Sequence, residues 1–135
     1  MMNDKERITN ILNAYRGEIM AKSPKSLSIW RNNRTVMPAG VGSMFRLADP
    51  FPMTVKRAEG ARVWDADDNE YLDFMLGFST MILGNTPDEV QEAIREALPR
   101  GTQYGQCHEH EYAFARLFCD MVPGVDKVTF CNSGT

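Results

Sequence analysis

Apolar residues recur at helical spacing over the first part of the chain, with Ile8, Ile11, Leu12, Tyr15 and Ile19 falling on one face. Asn3 followed by Glu6 supplies a capping box ahead of them, so the pattern predicts an amphipathic helix from about Asp4 to Lys22. Ser23-Pro24 then restarts a helix with a cap and a first-turn proline. Leu27 and Trp30 give this second helix an apolar face before Pro38 closes it. Two short helices cannot cover both stripes on each other, so they are expected to clamp onto another domain or subunit.

The periodicity then changes. Thr54-Val55-Lys56, Arg62-Val63-Trp64 and Tyr71-Leu72-Asp73-Phe74 read as three short strands, the last two joined by the polar turn Asp65-Ala66-Asp67-Asp68-Asn69, which makes a small antiparallel meander. Thr86-Pro87-Asp88-Glu89 starts a helix with a threonine cap, a first-position proline and Glu89 closing a capping box. Val90, Ala93, Ile94, Ala97 and Leu98 form its apolar face up to Pro99. After a loop at Gly101 to Gly105, Phe114, Leu117, Phe118 and Met121 mark a further helix from about Glu109 to Val122. Val128 to Cys131 reads as a strand apolar on both faces, suited to the middle of a parallel sheet. Asn132-Ser133-Gly134-Thr135 follows it, and from residue type alone both an ordinary turn and an anion-binding loop remain open.

With 135 residues, 43% hydrophobic and 24% charged, the chain has the composition of one modest globular domain. No apolar run approaches the roughly 20 residues that span a bilayer, and the polar, helical N-terminus is unlike a signal peptide, so a cytoplasmic protein without membrane partners is expected. The net charge of −3 divides unevenly: ten Lys and Arg against four Asp and Glu in residues 1–58 give +6, and five against fourteen in 59–135 give −9. The basic residues are spread over helical faces without a cluster or reading motif, which argues against nucleic acid and for attraction between the halves or to a partner subunit.

Cys107, Cys119 and Cys131 lack any C-x-x-C pair and read as buried structural thiols. His108 and His110 would project roughly 200° apart on a helix, too far to chelate one ion. Asp65, Asp67 and Asn69 imitate the start of a calcium loop, but Glu70 stands where that loop needs glycine and Leu76 where it needs a bidentate glutamate. No metal is expected.

Four stretches together resemble class III aminotransferases. Gly101-Thr102-Gln103-Tyr104-Gly105, Glu111, Met121-Val122-Pro123 and Val128 to Thr135 resemble the segment that ends in that family's pyridoxal-phosphate loop. Glu59-Gly60-Ala61-Arg62-Val63-Trp64-Asp65, followed by Asn69-Glu70-Tyr71-Leu72-Asp73-Phe74, is similar to its meander. Met37 to Arg46 and Gly77 to Asn85 resemble segments of the glutamate-1-semialdehyde 2,1-aminomutase branch, whose pattern Pro-Gly-Gly-Val-Asn-Ser-Pro-Val-Arg matches at Ser43 and Arg46 and departs at Ala39, Gly42, Met44 and Phe45. Phe78, Ser79 and Asn85 stand where that branch has tryptophan, glycine and histidine.

The resemblance implies an α/β fold, the N-terminal portion of a fold-type-I pyridoxal-phosphate-dependent transferase. Residues 1–50 would form a helical arm with a substrate-facing loop, 51–85 the meander, and 86–135 the first part of the large cofactor-binding domain. It further implies that Ser133, Gly134 and Thr135 hold the phosphate of pyridoxal 5'-phosphate. Ser43 and Arg46 would face the carboxylate of a small amino-acid or keto-acid substrate, with Phe78 on the pocket wall. An Arg fork is well shaped for that grip. None of Lys5, Lys22, Lys25, Lys56 and Lys127 matches the family's cofactor-bonding lysine, so no catalytic residue is nominated. The expectation is the N-terminal piece of a homodimeric aminotransferase or aminomutase. The alternatives are a non-catalytic fragment that docks on a full-length aminotransferase and an unrelated phosphate-binding module.

Overall fold

The protein is seen here as a computed structural model that describes residues 3–131. It divides into two compact units, residues 1–91 and 92–135.

The first unit opens with helix α1, Asp4–Lys22, closed at its N-terminus by the expected capping box: the Asn3 side chain accepts from Glu6 N at 2.8 Å, and the Glu6 carboxylate accepts from Asn3 N at 3.0 Å. Ser23 breaks the helix, and Pro24 opens α2, Pro24–Asn33. The expected Ser23 cap is not made. The carboxylate of Asp67, from the acidic turn of the meander, accepts from Lys25 N at 2.7 Å and Ser26 N at 3.0 Å, the N–H groups that α2 leaves unpaired. A carboxylate at a helix N-terminus is a stronger partner than a neutral hydroxyl, and it also complements the helix dipole. Freed from capping, the Ser23 hydroxyl donates to Asp65 Oδ2 at 3.0 Å.

A one-turn 3-10 segment at Pro38–Gly40 and another at Met44–Arg46 carry the chain to the sheet. Strands β1 (Val55–Glu59), β2 (Arg62–Asp65) and β3 (Glu70–Leu72) pair antiparallel in that order, with Glu59 opposite Arg62 and Trp64 opposite Glu70. The expected meander is therefore present. A bulge between Val55 and Arg57 sets Arg57 opposite Trp64, where its guanidinium lies 3.4 Å from the ring centroid. The short turn α3, Leu76–Ser79, follows, and Asn85 returns to form a bridge with Gly60. Among the described residues Val41, Phe51 and Val63 are the buried apolar side chains, joined by the buried polar Ser23, Ser26 and Asp65.

Asp65 is fully buried, and its carboxylate accepts from Asp67 N, Asn69 N and Asn69 Nδ2 at 2.9 Å each, from Ser23 Oγ at 3.0 Å and from Tyr71 OH at 3.3 Å. Burial pushes its pKa up, but the Asn69 side chain and N–H, the Ser23 hydroxyl and the Asp67 N–H together outweigh burial and leave it below the ordinary value. A carboxyl whose folded pKa lies below its unfolded value, about 3.9, stabilises the fold above that pH, and the stabilisation is lost as pH falls through the folded pKa. Acidification below about pH 4 is therefore expected to undock the arm before the helices melt. Faster amide exchange at Lys25 and Ser26, with helical circular dichroism retained, would register it. Exchange at those amides unchanged down to pH 2 would refute it.

Helix α4, Asp88–Ala97, starts where expected, and the Thr86 hydroxyl ahead of it donates to Ala58 O at 3.5 Å. In the second unit a 3-10 turn at Leu98–Arg100 leads to α5, Glu111–Met121. Ahead of α5, the His108 N–H donates to the Glu111 carboxylate at 2.7 Å, so this polar cluster organises the start of the helix. Two expectations are corrected. Val128 to Cys131 has no ladder partner among the described residues, and a strand exists only through such partners. Phe130 instead stacks on Phe114 with ring centroids 4.5 Å apart and meets Phe118 edge-on at 6.4 Å. Cys107, before α5, and Cys131, after it, are exposed, and Cys119 on the helix is only half-buried because the apolar face of α5 stays open among the described residues.

Candidate functional site

The first unit carries an open cavity of about 590 Å³, lined by Val55, Ala58 and Val63 of the sheet, by Gly42, Phe45 and Arg46 of the preceding loop, and by Phe78 of the turn α3. Two irregular segments shape it. The first runs from Pro38 to Leu47. Ala39 and Gly40 take left-handed backbone angles, with φ of 54° and 73°, and Arg46 N donates to Ser43 O at 2.9 Å. For alanine that conformation costs about 1–2 kcal/mol, and surrounding contacts must hold it.

The second segment is α3, where Leu76, Gly77, Phe78 and Ser79 all have positive φ. Asp73 holds its start, accepting from Met75 N and Leu76 N at 2.9 Å each. The Asn85 amide donates to the other Asp73 oxygen at 2.8 Å and to Gly60 O at 3.2 Å. The Asn85 bond, with help from Leu76 N–H, keeps the Asp73 pKa below its usual value. Asn85 thus ties the turn to the sheet, a role its residue type alone did not reveal. Runs of strained backbone of this kind cluster at ligand-binding sites.

Of the residues singled out from sequence, Arg46 and Phe78 come together on the cavity wall, whereas Ser43 is not among the lining residues and contributes its carbonyl to the turn beneath Arg46. The Arg46 guanidinium forms no ion pair among the described residues. Phe45, which departs from the family pattern, meets Phe78 edge-to-face with ring centroids 6.4 Å apart, so the pocket gains an aromatic corner that the pattern does not anticipate. Ser133, Gly134 and Thr135 lie outside the described residues.

This arrangement can grip an anion and pack an apolar group beside it. An unpaired guanidinium next to aromatic faces suits a small carboxylate bearing an apolar portion. No lysine lines the cavity among the described residues, and Lys56 is bound to Asp68 at 2.7 Å.

The family model for class-III aminotransferases matches residues 44–135. A glutamate-1-semialdehyde 2,1-aminomutase from Aquifex aeolicus (strain VF5) is 40% identical over 114 residues, covering 82% of this chain and 27% of that protein. Among solved structures, a β-phenylalanine aminotransferase from Variovorax paradoxus superposes with a TM-score of 0.88 at 29% identity, over 94% of this chain and 30% of that one. A glutamate-1-semialdehyde aminomutase from Pseudomonas aeruginosa PAO1, of which a lysine-to-alanine variant is also solved in complex with PMP, gives 0.75 at 27% identity, over 84% and 25% of the two chains. The chain spans about a quarter of the length of the curated relatives it matches.

Proposed function

This chain belongs to the class-III aminotransferase family, and from that premise we propose that it forms the substrate-facing N-terminal part of an enzyme that transfers an amino group with pyridoxal 5'-phosphate. Residues 1–50 are the arm and substrate loop, 51–85 the meander, and 86–135 the first part of the cofactor domain. The complete enzyme is a cytoplasmic homodimer, and the uncovered α1 face, with Ile8, Ile11 and Tyr15 exposed, suits a docking role.

When bound, the cofactor supplies an electron sink at the carbon that gains or loses the amino group. The described residues fit the substrate side of such a site, not its anchorage: they offer a cation and two aromatic faces, while the phosphate grip is assigned to Ser133, Gly134 and Thr135. Arg46 binds and orients the substrate carboxylate, and Phe45 with Phe78 offers aromatic faces for the apolar portion beside it. The observation that carries this reading is the Arg46 guanidinium, without an ion pair among the described residues, on the wall shared with Phe78.

Phe78, Ser79 and Asn85 replace the tryptophan, glycine and histidine of the aminomutase branch, which favours transfer between a donor and an acceptor over exchange within glutamate semialdehyde. Arg46→Ala in the active enzyme is expected to raise KM for the acidic substrate roughly ten- to a hundredfold with cofactor loading intact, the loss of a charge-assisted pair worth about 1.5–3 kcal/mol. An unchanged KM would remove Arg46 from the site.

A further inference from the structure

Arg46 rides on a segment that leaves α2 near Ala39 and returns at Phe51, and one side chain touches both ends of it. We propose that Trp30 is a positioning residue for the Arg46 guanidinium, holding the two ends of the 39–51 segment together from α2. The inference rests on the reading of Arg46 given above.

At the near end, the indole Nε1–H donates to Ala39 O at 3.0 Å, which fixes a residue in a conformation that alanine avoids. Gly40 follows directly under the ring: a Cβ there would sit 2.8 Å from Trp30 Cδ1 and 2.9 Å from Nε1, so the backbone can approach the indole this closely only as glycine. At the far end, the Trp30 ring stacks on buried Phe51, with centroids 6.2 Å apart and planes at 29°. Arg34 covers the indole at 5.0 Å from its centroid. A second tether from the arm bears on the same segment, since Arg16 Nε and Nη2 both lie 2.8 Å from Asp49 Oδ2.

Between these points the described contacts are buried Val41, the turn bonds Arg46 N to Ser43 O and Leu47 N to Met44 O, and the Phe45 ring edge-on to Phe78. Phe45 steadies the tip of the segment, and the indole sets where its two ends lie, so the position of Arg46 over the cavity depends on where α2 places Trp30. Asp67, capping α2 at its other end, couples that placement to the turn that follows β2, a strand whose Val63 lines the pocket.

Trp30→Phe in the full-length protein keeps a ring for Phe51 and removes the N–H. Amides of residues 40–47 are expected to exchange about tenfold faster while those of 63–72 stay unchanged, as the loss of one hydrogen bond implies. KM for the acidic substrate should rise several-fold at constant kcat. In an Arg46→Ala background, Trp30→Phe should add nothing further to KM. Unchanged exchange at 40–47, or equal acceleration throughout the sheet, overturns the proposal, as does an additive effect on KM in the double variant. Should Arg46→Ala itself leave KM unaltered while exchange still responds at 40–47 alone, the carboxylate reading fails and the clamp on the loop stands.

Discussion

Replacing Asp65 with alanine is expected to destabilise the first unit by about 3–5 kcal/mol, because a buried carboxylate that accepts from five donors is removed and each of those donors loses its bond to it. Hydrogen bonds to a charged acceptor contribute about 1.5–3 kcal/mol each in isolation, but donors that share one acceptor do not add, so the expectation stays near the upper end for a single substitution. Asp65→Asn should recover only part of the loss. Its amide NH2 would face the same donors that now point at an oxygen. Thermal unfolding together with amide exchange at Lys25, Ser26 and Asn69 measures both variants, and a loss below about 1 kcal/mol would mean that the carboxylate does not hold the arm.

The second large effect is at Gly40. A methyl group there meets Arg34 Cγ at 2.7 Å and Trp30 Cδ1 at 2.8 Å, on a backbone with φ of 73°. Gly40→Ala should therefore destabilise by about 2–4 kcal/mol, combining the left-handed penalty with overpacking against a ring that cannot retreat without leaving Phe51 or Ala39. The neighbouring Ala39→Gly should go the other way. It relieves a φ of 54°, less the backbone freedom that glycine gives up, for a net gain of at most about 1 kcal/mol. Thermal unfolding of the pair tests the sign, and a Gly40→Ala variant as stable as the parent would place the indole away from that backbone.

What the sequence made legible was local. The α1 capping box joins residues three apart, and the meander follows from alternation and turn residues, so both were readable. The α2 cap was not, because its acceptor lies some forty residues downstream and Ser23 offered a nearer candidate. Val128 to Phe130 has the composition of a buried strand, yet strand identity depends on ladder partners, and the phenylalanine found α5 instead. At the site, Arg46 and Phe78 emerged from resemblance, whereas Phe45 counted only as a mismatch until its ring was seen against Phe78. Asn85 was likewise a departure from pattern, and its grip on Asp73 is a tertiary fact with no signature in residue type.

The attachment of the arm through Asp65, Asp67 and Asn69 has a calorimetric consequence. Heat capacity rises on unfolding chiefly when apolar surface meets water, and around this junction the buried apolar residues are few, with Ser23, Ser26 and Asp65 taking their place. Release of the arm, which uncovers little apolar surface beyond Val41 and the Trp30–Phe51 stack, should therefore absorb heat with only a small step in heat capacity. Its slope against urea should fall well below the roughly 1 kcal/mol/M of even small proteins, so denaturant titration would pass over an opening that temperature and acid reveal.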